Sequence, residues 1–252
     1  MSENHKKTHQ NITIDVVGRL ALFTDPLSRL GGFKQSYSVP TYSALVGLLN
    51  RMYSRPSIYW VVDECRVINR INYEPISRSD PFKNGVGERY IYQYLYDCEY
   101  VIKAHYLQNK RFPEINRMFS FSYYSNEIAH QIKCGGERDL YFGCRECQAF
   151  IRKKDVSELK GYYDGSGTID LGEMFHSIVY PANDDKYIYA KQWHATMQDG
   201  VIRFPKPNEC PTERAIFKRE YSDDPIDYSL YLGGYSEPKP KFIRTRKAPK
   251  GK

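Results

Sequence analysis

The side chains of this chain that could do chemistry gather in three short stretches. "YYDGSGTIDLGEMF" (162–175) places Asp164, Ser166, Gly167, Asp170 and Glu173 at positions 3, 5, 6, 9 and 12 of a twelve-residue calcium loop, where such a loop needs ligands and a sharply turning glycine. Position 1 is Tyr162, a neutral phenol where a carboxylate belongs. The β-like "MFHSIVYP" that follows reaches Pro181 instead of forming the second helix of an EF-hand. The stretch is therefore read as a hairpin turned by Asp164-Gly165-Ser166-Gly167. "FGCREC" holds a single CxxC, Cys144 and Cys147. Zinc would need two more ligands at a compatible spacing, and a redox pair should open a helix after a strand. These thiols read as two small half-buried side chains. The third stretch, "KCGGERDLYFGCREC" (133–147), combines Gly135, Gly136 and Gly143 with Arg138 and Arg145. Glycines permit positive φ and close backbone approach, exposed N–H groups cradle phosphate, and guanidinium groups donate to phosphate oxygens. RNA contact and an ordinary structural turn both fit this pattern. Nucleophilic triads, a Walker loop and a Rossmann fingerprint are absent, and the six histidines do not pair at metal-ligand spacing. No metal and no cofactor is expected.

Composition narrows the class. The 252 residues, 41% hydrophobic and 27% charged, suit one large folded domain or two small ones. A polar N-terminus and the lack of an 18-residue apolar run point away from a signal peptide or membrane span, so a cytoplasmic location is expected. Six dilute cysteines fit a reducing compartment. The net charge is +7, and the tail "KPKFIRTRKAPKGK" (239–252) alone carries seven Lys and Arg with no acid, which leaves the body near neutral. That tail reads either as a solvated disordered end or as a non-specific contact for a polyanion. The 23 Tyr and 12 Phe are rings for a core or for stacking on bases.

These groups need elements to hold them. "ITIDVVGRLALF" (12–23) reads as a β-branched strand and 24–40 as a connecting loop. "TYSALVGLLNRMY" (41–53) has apolar residues at helical spacing, entered through Pro40 and Thr41 and stopped before Pro56. The segment 57–76 is β-rich, 77–88 is a loop, and the aromatic alternation of 89–107 favours another strand. A helix within 113–136 ends at Gly135-Gly136. Beyond about residue 150, two Asp-Gly turns between short β-like runs suggest an antiparallel sheet. The expected class is α+β: a ferredoxin-like (RNA-recognition-like) N-terminal domain with a glycine-rich loop, then a small antiparallel β domain. The expected boundaries are a disordered 1–11, the first domain over 12–152, the second over 153–237, and a basic disordered tail over 238–252.

The run "LALFTDPLSRLGGFKQSYSVPTYSALVGLLNRMYSRPSIYWVVDECRVI", followed by "GGERDLYFGCREC", "GYYDGSGTIDLGEMFHSIVYP" and "MQDGVIRFPKPNECP", resembles the CRISPR-associated fifth Cas family in its subtype I-C (Dvulg) form, of the RAMP superfamily. The likeness covers nearly the whole chain apart from the first ten residues and the tail. It implies an endoribonuclease that cuts CRISPR repeat RNA without metal, by attack of a ribose 2′-OH that leaves a 2′,3′-cyclic phosphate. It also implies that the product stays bound by its 5′ handle, within a type I-C surveillance complex beside backbone and large subunits. Target DNA would be a further contact of that assembly, and no membrane is involved.

Such chemistry needs a base near the 2′-OH, an acid near the leaving oxygen and a cation over the phosphorane. The family's tyrosine at the close of the first helix matches Tyr53; spacing alone would make Tyr53 a core residue. The family's Lys-His pair is missing: the matching stretch, "MFSFSYYSNE" (118–127), has Ser122, Tyr123 and Tyr124 instead. The resemblance thus assigns catalysis to Tyr53 alone; Tyr124 and His130 are the expected stand-ins for the pair, with Lys133, Lys110 and Arg111 also nearby and none of these cations at the matched position. With RNA as the partner, contact is expected of Lys34, Arg55, Arg117, Tyr123, Gly135, Gly136, Arg138 and Arg145. The alternative is a non-catalytic subunit that binds the crRNA 5′ handle.

Overall fold

The tyrosine-rich alternation near residue 100 forms one strand of 21 residues, and the rest of the sheet is built along its two edges. The computed structural model of the chain describes residues 10–24, 33–80, 88–153, 156, 159–179 and 187–218. The chain divides into two units, Met1–Tyr221 and Ser222–Lys252, and the described residues all belong to the first. The expected tail over 238–252 and nearly all of the expected disordered N-terminus lie outside them.

In chain order the elements are β1 (Gln10–Ala21), β2 (Phe33–Gln35), α1 (Tyr42–Met52), β3 (Ile58–Val67), β4 (Asn72–Asp80) and β5 (Glu88–Gln108). There follow α2 (Pro113–Met118), α3 (Phe121–Cys134), β6 (Leu140–Tyr141), β7 (Gln148–Arg152), β8 (Thr168–Val179), β9 (Tyr187–Gln198), β10 (Val201–Arg203) and β11 (Thr212–Lys218). The result is mostly antiparallel sheet with few helices. The β-rich segment 57–76 is two strands rather than one, broken at 68–71, and the loop expected over 24–40 contains β2.

The long strand β5 pairs antiparallel with β1 and β3 through its second half and with β4 through its first. The short β2 runs parallel to it at 91–93. With β7 on the free edge of β1, the order through the body is β7-β1-β5-β3. An alternating strand sends every second side chain to one face. Tyr100, Ile102, Ala104 and Tyr106 of β5 are accordingly buried together, with Ile14 and Val16 of β1. Against them lies the apolar stripe of α1: Leu45, Leu48, Leu49 and Met52, all buried. Each such side chain, taken fully out of water, contributes about 1.5–3 kcal/mol.

After residue 153 the chain crosses to the other side of β3. The turn at 164–167 does not join two strands, as the hairpin reading required. It is clamped to the end of β3, with both carboxylate oxygens of Asp164 taking Arg66 at 2.7 Å and Tyr162 N–H donating to Ile68 O at 2.7 Å. The second Asp-Gly does turn a hairpin. Asp199 and Gly200 have φ of 46° and 78° between β9 and β10, the double positive φ of a type I′ turn. That hairpin brings β10 alongside Glu64–Arg66 of β3, so β8, β9 and β11 are joined to the sheet of the body.

Candidate functional site

The end of α1 is the focus. Thr41 opens the helix, its hydroxyl accepting from Ala44 N–H at 3.3 Å. At the other end Tyr53 leaves helical geometry (φ −159°, ψ 124°) while its N–H still bonds Leu49 O. Its carbonyl, which no further turn of helix serves, accepts from the indole of Trp60 at 2.9 Å. The Tyr53 side chain is thereby fully buried, and its hydroxyl has no hydrogen-bond partner. Burial pushes the phenol pKa well above its usual value, and Arg55 offsets only part of that rise. Tyr53 is consequently a neutral donor.

Arg55 lies across this ring, its guanidinium carbon 4.4 Å from the centroid. Nη1 donates to Ser54 O at 2.7 Å and to the Glu137 carboxylate at 2.9 and 3.1 Å. Both partners of the ion pair are about one-third exposed, 35% and 31%.

The helix α3 forms the second wall. Ser120 caps its start, accepting from Tyr123 N–H at 3.2 Å. Tyr124 points inward, 1% exposed, with its hydroxyl 2.6 Å from that of Ser57. Tyr123 is exposed, and its ring packs on Phe119 with centroids 4.8 Å apart. Ser57, four residues past Tyr53, is thus the point at which α3 is tied to the exit of α1. Further along, His130 is exposed with Cys134 Sγ at 3.5 Å.

Gly135 and Gly136 end α3 and begin the turn back toward α1. Gly135 has φ of 91° and Gly136 of 111°, a region that side chains with a Cβ rarely adopt. Four successive N–H groups of this turn have acceptors inside the protein. Gly135 donates to Ile132 O and Gly136 to Gln131 O, completing α3, whereas Glu137 donates to Met52 O and Arg138 to Arg51 O, completing α1. One short turn thus caps two helices. Arg51 adds a clamp of its own, bonding Asp139 O and lying 4.7 Å from the Tyr141 ring centroid. An anion at this turn would meet side chains rather than a nest of free N–H groups, and the Arg138 side chain is exposed there.

The other candidate residues sit elsewhere. Lys34, on β2, donates to the Tyr92 hydroxyl at 2.8 Å near the start of β5. Tyr106, which packs on Tyr124, is fourteen residues on, roughly 45 Å along the strand at ~3.3 Å per residue. Arg117 is exposed on α2, and Arg145 is exposed between the two cysteines of the CxxC turn. The thiols of Cys144 and Cys147 are 3.2 Å apart, within hydrogen-bond reach of each other, and form no disulfide. Asp170 and Glu173 from the calcium-like loop hold opposite nitrogens of His194, at 2.9 and 3.3 Å, so they do not converge on a point. Among the described residues no group of three or more His, Cys, Asp or Glu could hold a metal ion, and no helix is long and apolar enough to cross a membrane.

Sequence reasoning did not single out Arg51, Ser57 or Glu137. A basic residue in the last turn of a helix and an acid inside "GGERD" were the available signals. Neither says which partner the fold will supply.

The comparisons with known proteins agree with this architecture. Residues 12–205 match the family model Cas_Cas5d, described as "CRISPR-associated protein (Cas_Cas5)". The CRISPR pre-crRNA endoribonuclease Cas5d of Mannheimia succiniciproducens is 25% identical over 224 residues, covering 77% of this chain and 94% of that protein. The crystal structure of a CRISPR-associated protein superposes with a TM-score of 0.68 at 30% identity, covering 81% of this chain and 96% of the other. A functionally uncharacterized protein from Streptococcus mutans superposes at 0.67, also with 30% identity, over 81% and 97%. With the family model spanning more than three-quarters of its length, this chain belongs to the CRISPR-associated Cas5 family.

Proposed function

We propose that this chain cuts CRISPR repeat RNA, without metal, and keeps the 5′ handle of its product as a subunit of a type I-C surveillance complex in the cytoplasm. The observation that carries the reading is Tyr53. The phenol that the family resemblance assigns to catalysis is held at the exit of α1, under a guanidinium, in a relative of a pre-crRNA endoribonuclease. The reaction is a transesterification. A base takes the proton of the ribose 2′-OH, the freed oxygen bonds the adjacent phosphorus, and the 5′-oxygen departs with a proton from an acid.

In this reading Tyr53, neutral at working pH, donates to a phosphorane oxygen. Tyr124 positions Ser57 and the start of β3 from behind. His130 is the exposed group able to exchange a proton, and the stacking ring is Tyr123. Arg55, Arg138 and Arg117 meet phosphates near the cut, while Lys34 and Arg145 meet RNA farther along its path. Gly135, open on its Cβ side, lets the RNA backbone approach the turn, and Gly136 lets the turn close on α1 and so presents Arg138 to it. The order β7-β1-β5-β3, with α1 between β1 and β3 and α3 between β5 and β7, supports a ferredoxin-like half over 12–152. The strands of 153–237 would form the accessory β half.

The test is single-turnover cleavage of the repeat hairpin in EDTA, wild type beside Tyr53→Phe. Cleavage to a cyclic phosphate that falls at least tenfold in the variant, with RNA affinity intact, is the expected result. Two observations favour a second reading, a handle-binding subunit that does not cut. The Tyr53 hydroxyl is shut away from solvent, and the stretch matching the family's Lys-His pair holds Ser122, Tyr123 and Tyr124. Tight binding of the repeat with no cleavage would establish that reading instead.

A further inference from the structure

A buried tyrosine can reach RNA only if its cover moves, and the charged, part-exposed group lying over the Tyr53 ring is Arg55. We propose that Arg55 is a phosphate-operated latch. Glu137 holds the guanidinium over Tyr53 in the free protein, and an RNA phosphate replaces the Glu137 carboxylate as its partner, drawing Arg55 off the ring and opening the hydroxyl to the substrate. The inference rests on the reading that this site binds RNA.

Three features carry it. Tyr53 is fully buried, yet its hydroxyl is bonded to nothing, the state of a donor kept for a partner that is not yet present. The group lying across its ring is a half-buried guanidinium, which is mobile and charged. All of the hydrogen bonds of that guanidinium, to Ser54 O and to both oxygens of Glu137, come from one nitrogen, Nη1. The Nε and Nη2 side makes no such bond among the described residues, and a guanidinium edge matches two phosphate oxygens at once. A partly exposed ion pair is weak because water screens it and two long side chains must be ordered to make it. A bidentate phosphate contact therefore displaces it readily. Glu137 occupies the carboxylate position because the glycine turn is pinned to α1 through its own N–H on Met52 O. The competitor is thus built into the element that brackets the site.

The latch predicts opposite effects for its two halves. In filter binding with the repeat hairpin RNA, Glu137→Gln should tighten binding two- to tenfold, since the phosphate no longer competes with a carboxylate. Arg55→Ala should weaken binding at least fivefold and reduce the log–log salt slope by about 0.7, one phosphate contact on a single strand. Arg55→Lys should recover the slope, and not the affinity, because an ammonium is one point charge. The double variant Arg55→Ala/Glu137→Gln should bind as Arg55→Ala does, since the Glu137 effect acts only through Arg55. Thermal melts of each variant within a few degrees of wild type verify that the fold is kept. Glu137→Gln binding no tighter than wild type, or a gain that persists without Arg55, overturns the latch while leaving RNA binding standing. A wild type that does not bind the repeat removes the RNA reading and the latch with it.

Discussion

Tyr53 separates stability from function at a single side chain. A buried hydroxyl without a partner carries a desolvation cost of about 1–3 kcal/mol that its removal relieves. Tyr53→Phe keeps the ring beneath Arg55 and the backbone carbonyl that Trp60 bonds, so it should be as stable as wild type or more stable, by up to about 1 kcal/mol. Urea denaturation measures this directly, and a clear loss of stability would mean that the hydroxyl has a structural partner after all. Cleavage should nonetheless fall in the same variant, as proposed above. Tyr124 behaves oppositely. Its hydroxyl is 2.6 Å from Ser57 in a buried setting, so Tyr124→Phe leaves the Ser57 hydroxyl unsatisfied and costs on the order of 1–2 kcal/mol. Both tyrosines are visible in the sequence as aromatic residues near helix ends. Which of them has a bonded hydroxyl is not, because Ser57 stands 67 residues from Tyr124.

The element that decides the site is the turn after α3. Both glycines have positive φ, but only Gly136 is crowded. A Cβ there would lie 3.3 Å from Arg138 O and from Leu140 Cδ2, and 3.4 Å from Met52 Cα, whereas one at Gly135 meets open space. Gly135→Ala should cost about 1 kcal/mol from backbone strain alone. Gly136→Ala should cost more, about 2–3 kcal/mol, and should also weaken RNA binding by shifting Glu137 and Arg138 off the end of α1. Urea midpoints of the pair measure the difference, and equal costs would show that crowding against α1 is not what the second glycine relieves. The existence of this turn was legible, since Gly-Gly after a helical stripe is a stop signal. Its second task was not. The carbonyls of Arg51 and Met52 are about 85 residues away in sequence, and nothing local marks which helix end the turn will close.

The stability of the folded chain should depend on pH through His176. This ring, on β8, is fully buried, stacked on Tyr42 with centroids 4.1 Å apart, and flanked by Trp193. Its nitrogens lie 2.9 Å from Ser177 Oγ and 2.9 Å from Pro205 O. Burial lowers its pKa from 6.5 to about 4. Between those values the unfolded chain holds a proton that the native chain does not, so stability falls as pH drops from about 6.5 to about 4 and is unaffected by this ring above that window. The loss should be on the order of 2 kcal/mol, below the roughly 3.5 kcal/mol that ~1.4 kcal/mol per pH unit would give over the whole window. Below that, Asp164 and Glu64 extend the loss, since Arg66 and Lys103 hold their carboxyls lower than usual. Chemical denaturation across pH 4–7, wild type beside His176→Gln, measures the slope. A variant as steep as wild type would assign the acid lability elsewhere.

Local order was within reach of sequence reasoning. The alternation of β5, the apolar stripe of α1, its stop before Pro56 and the glycines after α3 are each properties of a few consecutive residues, and local sterics decide them. The break between β3 and β4 escaped notice because both are β-rich, and only pairing with the two halves of β5 tells them apart. The Asp-Gly turns show the same limit: identical dipeptides, yet Asp199-Gly200 closes a hairpin while Asp164-Gly165 is drawn onto Arg66. Tertiary structure alone decided that Tyr53, Arg55 and Glu137 meet, that the Tyr53 hydroxyl is left unbonded, and that two helices share one cap. The physical reason is that charges and hydrogen bonds select partners by distance in space, and the separations here, 82 residues between Arg55 and Glu137, close only when β1, β3 and β5 have paired.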